Sequence, residues 1–204
     1  MKNLAKDFQH YFVNKDHKED DFFTFSSDFE GKRYRIHSCS DVFSKNSLDY
    51  GSLVLVKAVL KGEFLDGDTL DMCCGYGTIG MLIADKLDID IDMCDINTTA
   101  VELTRKNVKE NKVKVRDIFE SDMFNSVTKN YKHIVSNPPI KTGKKLLLDF
   151  ANGAYSHIED GGTLTVVIKK NLGADSFKRY LSELFGNCEV LKRDKGYYIL
   201  HSKK

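Results

Sequence analysis

The chain has 204 residues, 41% hydrophobic and 30% charged, a size and balance that suit one soluble α/β domain with a short extension. With 31 basic and 30 acidic residues the net charge is +1, so overall electrostatics predict no nucleic-acid partner and any such binding must come from a local patch. The five cysteines are odd in number and form no CxxC pair, and no stretch approaches the ~18 apolar residues of a membrane span. A disulfide framework, a zinc or other metal site and membrane insertion are thereby disfavoured. The polar N-terminus lacks a signal core, and the expectation is a cytoplasmic protein with reduced, core-packed thiols.

Residues 1–20 are charged and read as a polar lead-in. Phe22–Ser26 and Lys32–His37 are extended runs separated by Asp28-Phe-Glu-Gly31, which predicts a β-hairpin. Asp41–Ser47 is a polar connection, and Leu48–Leu60 carries apolar residues in helical rhythm. Residues 21–62 are therefore expected to form a hairpin and helix packed on a core domain spanning 63–204.

From residue 68 strands and helices alternate. Strands are expected at Thr69–Cys74, Ile89–Cys94, Val113–Arg116, a segment ending in His133–Ser136, and Gly162–Ile168. Helices are expected near Ile79–Lys86, Thr98–Asn111 (with Asn97 as N-cap), Lys144–His157 and Ala174–Phe185. Glu189–Lys192 and Tyr197–His201 close the chain as a strand pair joined by Arg193-Asp-Lys-Gly196. The alternation predicts an α/β fold with a mostly parallel sheet covered on both faces. The last connection is too short for a parallel crossover, so the last strand is expected to be antiparallel.

Asp71-Met-Cys-Cys-Gly75-Tyr-Gly77-Thr-Ile-Gly80 follows the first of these strands and opens a helix. Its glycines fit GxGxxG spacing, which serves a tight turn and close backbone approach to a ligand at a helix N-terminus. Asp95 ends the next strand, where Rossmann-like folds place a carboxylate on ribose hydroxyls. Together they point to an adenosine-type cofactor, NAD or S-adenosylmethionine. Asp71 decides between them: a carboxylate opposes a pyrophosphate but attracts a sulfonium and an ammonium. The expected cofactor is S-adenosylmethionine, with Asp71, Cys73, Gly75, Gly77, Asp95, Asn137 and Asp122 at its site. Asp122 would accept from the adenine amino group.

Both prolines of the chain stand together in Asn137-Pro138-Pro139-Ile140, after the fourth of the alternating strands. An amine on an aromatic ring is a poor nucleophile because its lone pair is delocalised. The Asn137 side-chain oxygen and the Pro138 carbonyl can both accept from its hydrogens, pyramidalising the nitrogen and aiming the lone pair. Pro138 and Pro139 stiffen the loop, so catalysis would be mainly positioning, without metal or covalent intermediate. On this reading Asn137→Asp is expected to be milder than Asn137→Ala.

These motifs resemble the class I methyltransferases that modify exocyclic amino groups. The sequence is most similar to the bacterial small-subunit ribosomal RNA guanine-N2 methyltransferases of the C type and their single-domain relatives. Asp41-Val-Phe-Ser44 with Leu48-Asp-Tyr-Gly-Ser52 resembles the stretch that precedes the cofactor loop there, and Lys169-Lys170 and Gly196-Tyr-Tyr-Ile199 resemble the single-domain members. The resemblance covers roughly residues 20–202 and implies a Rossmann-like fold, S-adenosylmethionine as cofactor and ribosomal RNA as partner. The chain departs from the family in three ways. Ile140 stands where an aromatic residue usually stacks on the base, Met72 and Cys73-Cys74 replace the usual Leu, Val or Gly and the small residue plus Cys that follows, and the degenerate N-terminal copy of two-domain members is lacking. Phe43 is the substitute expected against the base, or else a core anchor of the hairpin.

Lys141, Lys144 and Lys145 follow the fourth alternating strand and Lys169 and Lys170 the fifth, while Lys192, Arg193 and Lys195 belong to the last hairpin, whose turn is expected to open on the same edge of the sheet. They predict a basic rim for phosphate contacts, with Ile140, Lys141, Lys169 and Lys170 nearest the substrate. Rival readings are N-methylation of a small molecule, a protein glutamine or DNA adenine, a non-catalytic RNA-binding module, and an NAD-binding reductase. The last is disfavoured by Asp71.

Overall fold

The computed structural model describes residues 21–40, 47–62, 66–139 and 143–204. The expected lead-in, the Asp41–Ser44 stretch with Phe43, and the positions Ile140 and Lys141 lie outside the described residues.

Strands β1 (Phe22–Phe29) and β2 (Lys32–Cys39) form the antiparallel hairpin, turning at Glu30-Gly31. The sheet proper has seven strands: β3 (Thr69–Met72), β4 (Ile91–Asp95), β5 (Asp117–Glu120), β6 (Tyr131–Ser136), β7 (Ile158–Lys169), β8 (Glu189–Asp194) and β9 (Tyr197–Lys203). Their order is β5-β4-β3-β6-β7-β9-β8. The strands from β3 to β7 are parallel, and β9 runs antiparallel between β7 and β8. A two-residue turn forces that reversal: Lys195 (φ 42°) and Gly196 (φ 80°) are both left-handed, as tight hairpin turns require.

Helices α1 (Tyr50–Gly62), α2 (Thr78–Leu87) and α3 (Thr98–Glu110) cover one face, and α4 (Lys144–His157) and α5 (Ala174–Phe185) the other. Neighbouring strand residues divide between the two cores by the two-residue period of a strand. Met93 and Val167 face α1–α3, while Cys94, Val166 and Ile168 face α4–α5. Asn97 caps α3 as expected, accepting from the Ala100 N–H at 3.2 Å. The third alternating strand lies four residues later than expected. Val113–Arg116 alternates like a strand, but Lys112 (φ 55°) ends the helix and the Val113 N–H returns to the Val108 carbonyl. Val113 is therefore tied back to the end of α3, and the residue pairing with β4 begins at Asp117.

The hairpin docks through side-chain amides. Asn107 of α3 and Asn111, the C-cap of that helix one turn later, both face β2. Asn107 Oδ1 accepts from the His37 N–H at 2.7 Å, and its Nδ2 donates to the His37 carbonyl (3.0 Å) and the Tyr76 carbonyl (2.9 Å). Asn111 treats Arg35 likewise, accepting from its N–H at 2.9 Å and donating to its carbonyl at 2.8 Å. Helical i, i+4 spacing thus matches strand i, i+2 spacing, and two amides satisfy a strand edge that faces a helix. At the far end Tyr34 Oη donates to Asp85 Oδ2 of α2 at 2.6 Å, and Lys32 pairs with the same carboxylate.

Asn107 is fully buried, and Asn107→Ala leaves three backbone groups without partners. The expected loss of stability is about 2–4 kcal/mol, measured by urea denaturation. A loss below about 1 kcal/mol would mean that the hairpin edge is satisfied by other groups.

Candidate active site

The connections after β3 and β6 leave toward opposite faces, to α2 and α4 respectively, and the two strands are neighbours. Such a reversal opens a crevice at the carboxyl ends of the strands. The glycine loop borders it on one side and Asn137 on the other.

On the β3 side the turn is sharp. Cys73 (φ 60°), Gly75 (φ 58°) and Gly77 (φ 94°) have left-handed backbones within five residues. A Cβ on Gly77 would meet Thr104 Cγ2 at 2.9 Å, so that turn cannot carry a side chain without displacing the Thr104 side chain. A Cβ on Gly75 would meet nothing within 4 Å, so the bare backbone there faces open space. Thr104 Oγ1 donates to the Gly75 carbonyl at 2.8 Å and holds the loop.

Two carboxylates back this loop. Asp95 Oδ2 accepts from the Gly75 N–H (2.9 Å) and Oδ1 from the Asn97 N–H (3.0 Å), which leaves further lone pairs on both oxygens. Asp71 is fully buried; its Oδ2 accepts from the Gly80 N–H at 2.7 Å, while its Oδ1 has no hydrogen-bond partner. Burial pushes the Asp71 carboxyl up to about 8; the Gly80 N–H opposes the shift and the Asp95 carboxylate adds to it. Burial raises Asp95 as well, against the N–H groups of Asn97, Gly75 and Ile96. An orphaned buried carboxylate oxygen beside an open glycine backbone suits a cationic ligand with a diol, and S-adenosylmethionine is one. Asp122 is exposed just after β5, whose next residue Ser121 donates its N–H to the Asp95 carbonyl at 2.9 Å. The structure thus gathers Asp71, Cys73, Gly75, Gly77, Asp95 and Asp122 at one edge.

On the β6 side, Ser136 Oγ donates to the Met72 carbonyl at 2.6 Å and ties the two strand ends together. Asn137 is half-buried and Pro138 buried. Asn137 Nδ2 donates to Asp49 Oδ2 (3.1 Å) and to Ser52 Oγ (3.0 Å), both at the start of α1. The amide hydrogens are therefore occupied from behind, which leaves Oδ1 as the acceptor that remains. This changes one expectation. In Asn137→Asp a second carboxylate would stand against Asp49, and the substitution becomes at least as harmful as Asn137→Ala.

The basic rim divides. The Lys170 N–H donates to the Gly196 carbonyl at 2.7 Å, so the β8–β9 turn does sit beside the end of β7. Lys169 Nζ lies 5.5 Å from the Tyr197 ring centroid and Lys195 Nζ 4.7 Å from that of Tyr50, and the two rings are 5.9 Å apart. Arg193 instead stacks over Tyr198 on the opposite face, and Lys145 pairs with Asp149 at 2.6 Å. Sequence reasoning missed Asp49, Ser52, Tyr50 and Tyr197. The first three stand inside the Leu48–Ser52 motif, whose sequence marks resemblance but not which partner each side chain meets.

The sequence model of the methyltransferase small domain matches residues 33–201. An uncharacterised protein of Bacillus subtilis, YbxB, is 37% identical over 96% of this chain and 98% of its own length. Ribosomal RNA small subunit methyltransferase C of Vibrio vulnificus is 30% identical over 99% of this chain. The chain spans about half of that protein, 55% of its length. Among solved structures, a 16S rRNA N2 methyltransferase of T. thermophilus, in complex with AdoMet and guanosine, superposes with a TM-score of 0.81. That match has 25% identity and covers 90% of this chain and 50% of that one.

A cation beside Asp71 favours its ionised form, whereas the free protein holds it largely protonated at pH 7. Binding of S-adenosylmethionine at pH 7 is therefore expected to release a proton, read by calorimetry in buffers of different ionisation enthalpy. Asp71→Asn should abolish that release, and Asp95→Ala should weaken binding by ~1.5–3 kcal/mol through the lost ribose contact. A buffer-independent enthalpy in the unaltered protein would show that Asp71 does not face the cation.

Proposed function

The chain belongs to the methyltransferase small domain family, and from that premise we propose that it is an S-adenosylmethionine-dependent N-methyltransferase acting on guanine N2 in small-subunit ribosomal RNA. The observation that carries the reading is the Asn137 carboxamide, whose hydrogens are held by Asp49 and Ser52 at the crevice that also contains Asp71 and Asp95. The relatives named for ribosomal RNA methylation supply the substrate class.

S-adenosylmethionine supplies a methyl group on a sulfonium, open to in-line attack by a nitrogen lone pair. The chain's part is to prepare that lone pair. The Asn137 Oδ1 and the Pro138 carbonyl accept from the two amine hydrogens and draw the nitrogen out of conjugation with the ring. Pro138 and Pro139 fix where that carbonyl points. Once the nitrogen has taken the methyl it carries positive charge, which two oriented acceptors favour until a proton leaves. These contacts strengthen along the reaction and belong to kcat more than to KM. Asp71, Cys73, Gly75, Gly77, Asp95 and Asp122 form the cofactor side, while Lys169, Lys170 and Lys195 hold phosphates at the mouth. Phe43, Ile140 and Lys141 retain their proposed substrate roles from the sequence alone. The lysines favour RNA over a small molecule, because a free small substrate has no backbone to meet them.

Asn137→Ala should lower single-turnover methyl transfer to the RNA by ~10²–10³ and leave the fold intact. Transfer within a few-fold of the unaltered protein would make Asn137 a turn residue only. Lys169→Ala with Lys170→Ala should weaken RNA binding and lower the log–log salt slope by roughly one unit per lost phosphate contact, at unchanged cofactor affinity. An unaltered slope would assign both lysines to ordinary surface. Mass spectrometry of ribosomal RNA nucleosides from a strain lacking the protein tests the base itself, with loss of a guanine N2-methyl as the expected result.

A further inference from the structure

We propose that Asp49 and Ser52 are positioning residues that fix which end of the Asn137 carboxamide faces the substrate. The proposal rests on Asn137 receiving the amine, and it goes further by assigning what makes Asn137 an acceptor there.

A carboxamide is nearly symmetric in shape but not in chemistry. One end donates two hydrogen bonds and the other accepts. Asn137 prepares an amine only if its oxygen faces the crevice; turned over, it would present hydrogens to hydrogens. Nothing in Asn137 itself selects between the two orientations, so the selection comes from its neighbours. Nδ2 lies 3.1 Å from Asp49 Oδ2 and 3.0 Å from Ser52 Oγ, so both of its hydrogens are used. A carboxylate oxygen has no hydrogen to give. The flipped amide would set its Oδ1 against Asp49 Oδ2, two acceptors about 3 Å apart with nothing between them, and that orientation is excluded.

The clamp is rigid because Asp49 has a second task. The same Oδ2 accepts from the Ser52 N–H at 2.7 Å, and the Asp49 carbonyl accepts from the Leu53 N–H at 3.0 Å. Asp49 is thus the N-cap of α1, and it cannot turn away from Asn137 without uncapping the helix. Ser52 is buried, and the helix behind it presents Val54, Leu55, Val56 and Val59 to the core. The start of α1 is therefore a fixed wall. Asn137, 88 residues from Asp49 in the chain, is set against it by the end of β6.

A purely structural role would tie α1 to the loop after β6 and change stability alone. The two roles separate in a double-mutant cycle read by single-turnover methyl transfer at saturating cofactor and RNA. In the otherwise unaltered protein Asp49→Ala should slow transfer about tenfold or more, at unchanged affinity for S-adenosylhomocysteine. Asp49→Asn keeps an oxygen toward both Ser52 N–H and Asn137 Nδ2 and should restore most of the rate. In the Asn137→Ala background Asp49→Ala should change nothing further, and in the Asn137→Asp background it should speed transfer by removing the opposed carboxylate. Equal slowing by Asp49→Ala in all three backgrounds would overturn the proposal. If the unaltered protein methylates no small-subunit RNA, the functional reading fails alone. The clamp is then decided by hydrogen exchange of the ¹⁵N-labelled Asn137 amide. Protection that is lost in Asp49→Ala/Ser52→Ala supports the clamp, and an unprotected amide in the unaltered protein refutes it.

Discussion

The pairing of β3 with β6, whose following helices leave to opposite faces, is the constraint on which the site depends. A sheet that simply continued to one side would cover each strand end with the next connection. Here the chain parts, and two unrelated segments, Cys73–Gly77 and Asn137–Pro139, meet across a gap. The Ser136 hydroxyl on the Met72 carbonyl holds the two ends in register at that point. The cofactor half and the acceptor half of the site are thus neighbours because of topology, although Gly77 and Asn137 stand far apart in the chain.

That geometry has an energetic cost, and it falls on Asp71. A buried carboxyl with one oxygen unpartnered favours its protonated form, which is why its pKa rises toward 8. The sign follows from linkage. The folded protein holds this proton more tightly than the unfolded chain, so stability from this group is fullest below the unfolded pKa and is lost as pH rises through the folded one. A bound cation reverses the preference. The residue that weakens the free protein at high pH is thus the one that a cationic cofactor stabilises, and folding and binding are coupled through a single proton.

Much of this was legible because local rules carried it. The glycines of the first turn, Asp95 at a strand end, the Asn97 cap and the β8–β9 turn each depend on residues within a few positions of one another. What was hidden depends on partners far away in the chain. Asn107 and Asn111 sit on a helix where polar residues ordinarily mean a solvated face, and only the docked hairpin shows that they satisfy β2. Asp49 looks like any helix cap until Asn137 is placed behind it. Arg193 lies next to the β8–β9 turn in the chain, but strand alternation sends it to the other face over Tyr198. Val113–Arg116 misled for the opposite reason: a local alternation was real, but the Val113 N–H was already engaged by the end of α3.

For the proposed RNA substrate, a net charge of +1 means that no long-range field draws the polyanion in. Attraction has to act within the screening length, about 8 Å at physiological salt, and so must be concentrated at the mouth of the crevice. The aromatic rings there provide that concentration. Lys169 over Tyr197 and Lys195 over Tyr50 are held by the ring faces, so their ammonium groups lose less freedom when they meet phosphate than free surface lysines would. Tyr50 follows the clamp residue Asp49 and also donates its hydroxyl to Asp194 at 3.0 Å, which ties the β8–β9 turn to the start of α1. The wall that orients Asn137 and the turn that carries Lys195 are therefore linked, and the Lys170 N–H on the Gly196 carbonyl joins the end of β7 to them. On the proposed reading, a phosphate held at this rim would set the distance from which its base must reach the amide.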